Sequence, residues 1–476
     1  MKFFSTINRS VCICGTLIAA LLGGCSKNID IPLPIDQLTT GVVFSDSATA
    51  VSAVAGVYSA AVKANALNMS FLNGLVTVLP GLSADELVTS STSASYDQFA
   101  VNDIDPKNNA LNDNNWNDAY TMVFQCNLII ENLDKTTALS QSLRNQLGGE
   151  MRFIRALLYF YLTNEYGRAP LAISTDYNQN AALSNTDTAI IYNQIVQDLK
   201  EAQSMLVTAY PGPGAEKIRA NKMAATALLA RVYLYRKDYV NAAKEATAVI
   251  DSKMYALTDL QQTFLANNSE AIMQLAPVIS LYLGPAESYF LQPPGPGLMP
   301  AFRMRPGLVN AFEPGDQRRT NWVGSTIVNG ETYYYLNKAK IRFHPYGSVK
   351  PEYIILLRLA EQYLIRAEAY ARENNLADAI ADVDEIRGRA GLPLIAETNP
   401  DISQPDLIAA IMHENRIEFF LEGGHRWFDL KRTGMAAQVL APLKGASWQL
   451  TDVVYPFPNN ETLNAPNLTQ NDGYVK

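Results

Sequence analysis

Only four cysteines occur in 476 residues, at positions 12, 14, 25 and 126. Cys12 and Cys14 lie in an N-terminal segment that reads as cleaved, and Cys25 sits at the cleavage point. Cys126 is therefore left alone in the folded body, which excludes an intramolecular disulfide. It lies in an apolar stretch, Met122 to Ile130, and reads as a small core residue. Histidine is scarcer, at 344, 413 and 425. His413-Glu414 opens like a zinc-binding helix, but position 417 is Ile where the second histidine is needed, so a catalytic zinc site is not expected. Asp103 and Asp105 begin like a calcium loop, yet Asn108 and Asn114 stand where Gly and Glu are required. No G-x-S-x-G elbow is present, and Gly148-Gly149 and Gly423-Gly424 fit no phosphate-binding loop. Two carboxylates of a glycosidase would leave no signature, so a surface hydrolase survives only on that ground. The chain is expected to be non-catalytic, without metal or cofactor.

Basic residues are outnumbered, 38 Lys and Arg against 46 Asp and Glu, for a net charge of −8. Losing Lys2 and Arg9 with the N-terminal segment takes this to −10, which argues against a nucleic-acid partner. After Cys25 no apolar run reaches the ~20 residues of a membrane-spanning helix.

What is present begins with that N-terminus. Lys2 and Arg9 precede an apolar stretch, Val11 to Leu22, and Leu21-Leu22-Gly23-Gly24-Cys25 reads as a lipobox. The expected organisation is a signal peptide over 1–24, a lipid-bearing Cys25 opening an extended leader to residue 40, and one domain over 41–476. Several acyl chains on Cys25 would anchor stably where one would not.

The body reads as mainly α. Leu356–Arg372 places Leu356, Leu359, Ala360, Tyr363, Leu364, Ala367 and Tyr370 on one helical face. A shift of 137 residues sets Val232-Tyr233 on Ala369-Tyr370 and Asp238-Tyr239 on Asn375-Leu376; Ala242, Ala246 and Val249 then fall on Ala379, Val383 and Ile386. Helix, short polar turn and small-residue helix is the tetratricopeptide arrangement. A third pair runs through Glu150–Gly167 and Ile190–Leu206. These pairs form a scaffold around a loop-rich insertion at about 251–350, where eight of the 24 prolines fall between Pro277 and Pro314. Short strands are expected at Glu270–Ala276 and Glu331–Tyr335. A second irregular stretch covers Thr89–Asn117.

The segment Glu414 to Gly434 alternates acids, arginines and aromatics. It reads as ion pairs among Glu418, Glu422, Arg416, Arg426 and Asp429 that clamp a helix end, with Gly423-Gly424 stopping the helix. Binding is instead expected from aromatics in the loops. Tyr282, Tyr289 and Phe290 lie in the insertion and Trp322 after it, where it reads as a surface residue. Tyr333 and Tyr335 would share a strand face that Tyr334 does not. Tyr96, Phe99 and Asn102 are the corresponding residues of the first loop.

Over nearly its full length the sequence resembles the SusD/RagB family of nutrient-binding outer-membrane lipoproteins. The resemblance rests on Ala84-Asp85-Glu86-Leu87, Trp116 with Ala119-Tyr120 and Asn127, and Glu150 with Arg155-Ala156 and Tyr166-Gly167. It continues through Asp316 with Arg318-Arg319, Arg358-Leu359-Ala360-Glu361, Arg366-Ala367-Glu368-Ala369 and Ile386 to Leu392. Glu414 to Gly434 and Tyr455-Pro456-Phe457-Pro458 complete it. It implies a SusD-like fold, an outer-membrane location facing the exterior, and a TonB-dependent SusC-type barrel as partner. By relative position it points to Tyr96, Phe99, Asn102, Tyr289, Phe290 and Trp322 as ligand contacts. The expected function is capture of an oligosaccharide for that barrel. The alternatives are capture of peptides, or a helical-repeat assembly adaptor that takes no small ligand.

Overall fold

The computed structural model describes residues 40–63, 68–278, 284–345 and 347–474. The signal peptide, Cys25 and the leader before residue 40 lie outside the described residues, as does Tyr282. The main elements, in chain order, begin with α1 Ser47–Ala61, α2 Leu75–Ser83, β1 Leu87–Thr89, α3 Tyr96–Val101, α4 Asn117–Lys135, α5 Gln141–Tyr166 and α6 Thr188–Met205. Then come α7 Lys222–Tyr235, α8 Tyr239–Asp251, β2 Ala271–Leu275, α9 Ala286–Leu291, β3 Phe302–Met304, β4 Val323–Val328, β5 Glu331–Leu336 and β6 Ile354–Arg358. The chain closes with α10 Leu359–Arg372, α11 Leu376–Arg389, α12 Gln404–Glu418 and α13 His425–Arg432. The architecture is mainly helical, with three two-stranded antiparallel ribbons, β1–β3, β2–β6 and β4–β5. No helix of the described residues is long and apolar enough to cross a membrane.

The repeat read in the sequence is a structural repeat. The turn joining α7 to α8 has Lys237 at φ 60° and Asp238 at φ −88°, ψ 73°. The turn joining α10 to α11 has Asn374 at φ 61° and Asn375 at φ −92°, ψ 76°. In each the residue after the left-handed one sends its N–H five residues back, Asp238 to Tyr233 O at 2.9 Å and Asn375 to Tyr370 O at 2.8 Å. Small residues let the paired helices approach. Ala242 and Ala246 of α8 and Ala360, Ala367 and Ala379 of α10 and α11 are fully buried. The third pair, α5 with α6, is joined by a long connection instead of a turn.

Several buried charges inside this scaffold are paired across its helices. Arg155 of α5 is bidentate to Asp198 of α6, at 2.8 and 2.6 Å, and also reaches Asn127 of α4. Arg231 of α7 pairs with Glu361 of α10, and Arg366 of α10 with Asp382 of α11. Each bond crosses a helix–helix seam, so Arg155, Glu361 and Arg366 of the family motifs are structural. Cys126 is buried, and burial pushes its thiol up to about 12.

The charged segment is also structural, but its helix ends earlier than expected. α12 stops at Glu418, five residues before Gly423. Lys338 Nζ donates to the carbonyls of Glu418 and Phe420, both at 2.9 Å, and Arg358 donates to Glu418 O at 3.0 Å. Those carbonyls are thereby taken from the helical ladder. Leu421, Gly423 and Gly424 then adopt positive φ and turn the chain into α13.

Behind this stop lies a buried ion cluster. Arg318 binds Asp316, Glu414 and Glu418; Arg358 binds Glu270, Glu418 and Glu422; Arg389 binds Glu270 and Glu418. Burial alone would raise the Glu418 pKa, yet Arg389, Arg358 and Arg318 outweigh it and hold the carboxyl well below its ordinary range. The partners of Arg416 and Arg426 differ from the expectation: both bind Asp85, next to β1. The cluster ties the insertion to the scaffold, and so fixes where the ribbon β4–β5 stands.

Candidate functional site

The β4–β5 hairpin organises the insertion. Asn329 and Gly330 at its tip have φ of 52° and 83°. A two-residue type I′ turn needs two such values, which is why Asn-Gly is favoured there. The turn sets the register, with Val328 opposite Glu331 and Gly324 opposite Tyr335. Alternation along β5 then puts Tyr333 and Tyr335 on one face and Tyr334 on the other.

On the first face the Tyr335 ring lies across Gly324, where a Cβ would come within 2.2 Å of it. Only glycine leaves room for the ring at that distance. Arg303 of the neighbouring β3 places its guanidinium 5.2 Å from the centre of the Tyr333 ring. Helix α9 packs against β3 and β5 and brings Tyr289 and Phe290, whose rings meet edge to face at 5.1 Å. Arg342 stacks on Tyr289 at 4.1 Å, and its Nε donates to Gln292 O at 3.3 Å. On the second face Arg319 lies 5.3 Å over Tyr334. Those two line an open groove of about 1000 Å³ together with Phe312, Glu313, Gln317 and Ser325.

Tyr289, Phe290, Tyr333, Tyr334 and Tyr335 are all half-buried. Each therefore shows part of an apolar ring to solvent, and the tyrosines a polar edge as well, the surface that suits ring-shaped polar ligands. A groove of about 1060 Å³ beside α4 is also aromatic, and two of its polar side chains are committed to the fold. There Tyr120 donates to Pro170 O at 2.7 Å, and Asn127 serves Arg155 and Ala172 O. No cluster of three or more His, Cys, Asp or Glu able to hold a metal ion occurs among the described residues.

The six residues singled out from the sequence separate into two groups. Tyr289 and Phe290 lie on the hairpin side, and Tyr96 is half-buried against Phe302 of β3 at 5.0 Å. The other three are interior. Phe99 has no exposed surface and packs on Tyr455 at 5.2 Å. Asn102 is 2% exposed and closes α3 in the left-handed conformation, φ 59°. The surface placement expected for Trp322 is corrected outright, since it is 0% exposed. Its Nε1 donates to Leu260 O at 2.9 Å, and Lys338, Arg358 and Arg389 lie 4.8–6.0 Å from its ring. The buried cations need a polarisable apolar neighbour, and the indole supplies it. Sequence reasoning missed Arg303, Arg319, Arg342 and Gly324. Arg303 and Arg342 had one available signal, since no acid stands three or four residues from either.

A family model described as the SusD family matches residues 320–474, and one described as starch-binding associating with outer membrane matches residues 57–234. The chain belongs to the SusD/RagB family. Among its relatives, SusD-like protein P38 of Formosa agariphila is 24% identical over 413 residues, 75% of this chain and 79% of that protein. Starch-binding protein SusD of Bacteroides thetaiotaomicron is 26% identical over 432 residues, 72% of this chain and 75% of that protein. A solved laminarin-binding SusD-like protein superposes with a TM-score of 0.74 at 25% identity, over 90% of this chain and 99% of its own. The SusD-like fold read from the sequence is the fold observed.

Proposed function

We propose that this SusD/RagB protein is a non-catalytic, cell-surface glycan-binding lipoprotein, anchored in the outer membrane through Cys25. It captures an oligosaccharide and passes it to a TonB-dependent SusC-type barrel. The observation that carries the reading is the set of half-buried tyrosines on the β4–β5 hairpin and α9. Support comes also from the relatives named for binding starch and laminarin, from the matching family model described as associating with the outer membrane, and from the absence of a catalytic motif in the sequence. Release to a transporter requires modest affinity, micromolar or weaker, which corresponds to about −8 kcal/mol or less.

The test uses the soluble chain from Ser26 onward on glycan and peptide arrays, with product analysis of every binder. Binding of an oligosaccharide without cleavage is expected. Turnover of a bound glycan, or binding confined to peptides, would overturn the reading. Co-purification of the intact lipoprotein with a barrel protein from detergent-solubilised outer membrane tests the partner.

A further inference from the structure

We infer that the oligosaccharide taken by this site is anionic, bearing carboxylate or sulfate groups; this rests on the glycan-binding proposal above. The distribution of arginine partners carries the inference. The insertion contains five arginines, Arg303, Arg305, Arg318, Arg319 and Arg342. Arg318 belongs to the buried ion cluster. Among the described residues none of the other four has a carboxylate oxygen within 4 Å, whereas twelve arginines outside the insertion do. Arg305 is occupied otherwise, donating to the carbonyls of Leu87 and Ala100.

The remaining three share one arrangement. Arg303, Arg319 and Arg342 each lie over a tyrosine ring of the candidate site, Tyr333, Tyr334 and Tyr289, at 5.2, 5.3 and 4.1 Å. Stacking fixes the plane of a guanidinium and leaves its edge donors to meet paired oxygens, the geometry of a carboxylate or sulfate. Arg303 Nε is buried without a hydrogen-bond partner. The Nε of Arg144, Arg372, Arg389 and Arg416 share that state, and it is the missing counter-ion that sets Arg303 apart from Arg372, Arg389 and Arg416. Arg319 lies over Tyr334 on the opposite face of the hairpin, so in a chain with net charge −8 it is Arg303 and Arg342, without counter-ions over Tyr333 and Tyr289, that serve a charge supplied from outside.

The experiment is calorimetric titration of the soluble chain with oligogalacturonate, a sulfated galactan oligosaccharide and a neutral laminari-oligosaccharide, at low and high salt. At least one anionic ligand should bind about tenfold more tightly than the neutral one and weaken as salt rises. Arg303→Gln and Arg342→Gln should each weaken that binding about tenfold and reduce its salt dependence, with Tm unchanged. If Arg303→Gln lowers Tm, the half-exposed Arg342 decides the matter. Neutral glycan bound as tightly as both anionic ones overturns the inference while leaving the capture reading intact. Absence of binding to any oligosaccharide overturns both.

Discussion

Replacing Glu418 with Gln should be among the most damaging conservative changes available in this protein. Glu418 is 0% exposed and faces three guanidiniums, those of Arg318, Arg358 and Arg389, whose side chains are 1, 1 and 8% exposed. Glutamine keeps the shape but removes the charge, leaving the cluster with one more positive charge in a place water does not reach. Removing one partner of a buried pair costs about 3–5 kcal/mol. Against a total stability of about 5–15 kcal/mol this is a large share. The exposed pair Asp251–Lys253, 64 and 77% exposed, supplies the control, and Asp251→Asn should cost under ~1 kcal/mol. Urea unfolding followed by tryptophan fluorescence reads both, with the midpoint shifting and the slope unchanged. The sign with pH follows from the lowered pKa. The contribution of Glu418 is present above its unfolded value of 4.5 and fades only as pH falls well below that. The deficit of the variant should therefore persist from neutral pH down to 4.5 and close only in stronger acid. A loss for Glu418→Gln no greater than the control's would refute the view that this cluster holds the insertion to the scaffold.

Three further outcomes are expected. Gly324→Ala forces the Tyr335 ring away from a Cβ it would meet at 2.2 Å, and should weaken glycan binding more than it lowers Tm; unaltered affinity in titration would remove Tyr335 from the site. Burial raises the Glu165 carboxyl to about 8 although Asn115 Nδ2 donates to it at 2.7 Å, and its Oε1 has no partner. Its neutral form stabilises the fold fully below pH 4.5 and loses that effect as pH rises through about 8, so Glu165→Gln should gain Tm relative to the parent chain across that interval; parallel Tm profiles would contradict this. Cys126 should resist alkylation in the native soluble chain and react at once in denaturant, with rapid native labelling in a thiol assay as the contrary result.

Much of the fold was legible because it is written in local pattern. The period of Leu356–Arg372 and the matched turns at Asp238 and Asn375 follow from helix geometry and from a left-handed residue, and both turns appear with the same dihedral angles. The short strands read at Glu270–Ala276 and Glu331–Tyr335 are found at 271–275 and 331–336, the second carrying three consecutive tyrosines. The charged segment is a structural clamp, but its five expected members pair with other residues and not with one another, and the stop of α12 depends on Lys338, eighty residues upstream of Glu418 in the chain.

The binding residues were less legible, for a physical reason. An aromatic in a loop has the same local sequence whether its ring meets solvent or the core. Trp322 was assigned to the surface because prolines precede it, yet three cations from distant parts of the chain close over it. Tyr333 and Arg303 are thirty residues apart and meet only because β3 runs beside β5. By itself the sequence determined the helical repeat, the burial of Cys126 and the family, all of which depend on pattern along the chain. Tertiary structure alone decided which tyrosines keep a face toward solvent and which arginines are left without a counter-ion, because exposure and charge pairing depend on contacts between residues far apart in sequence.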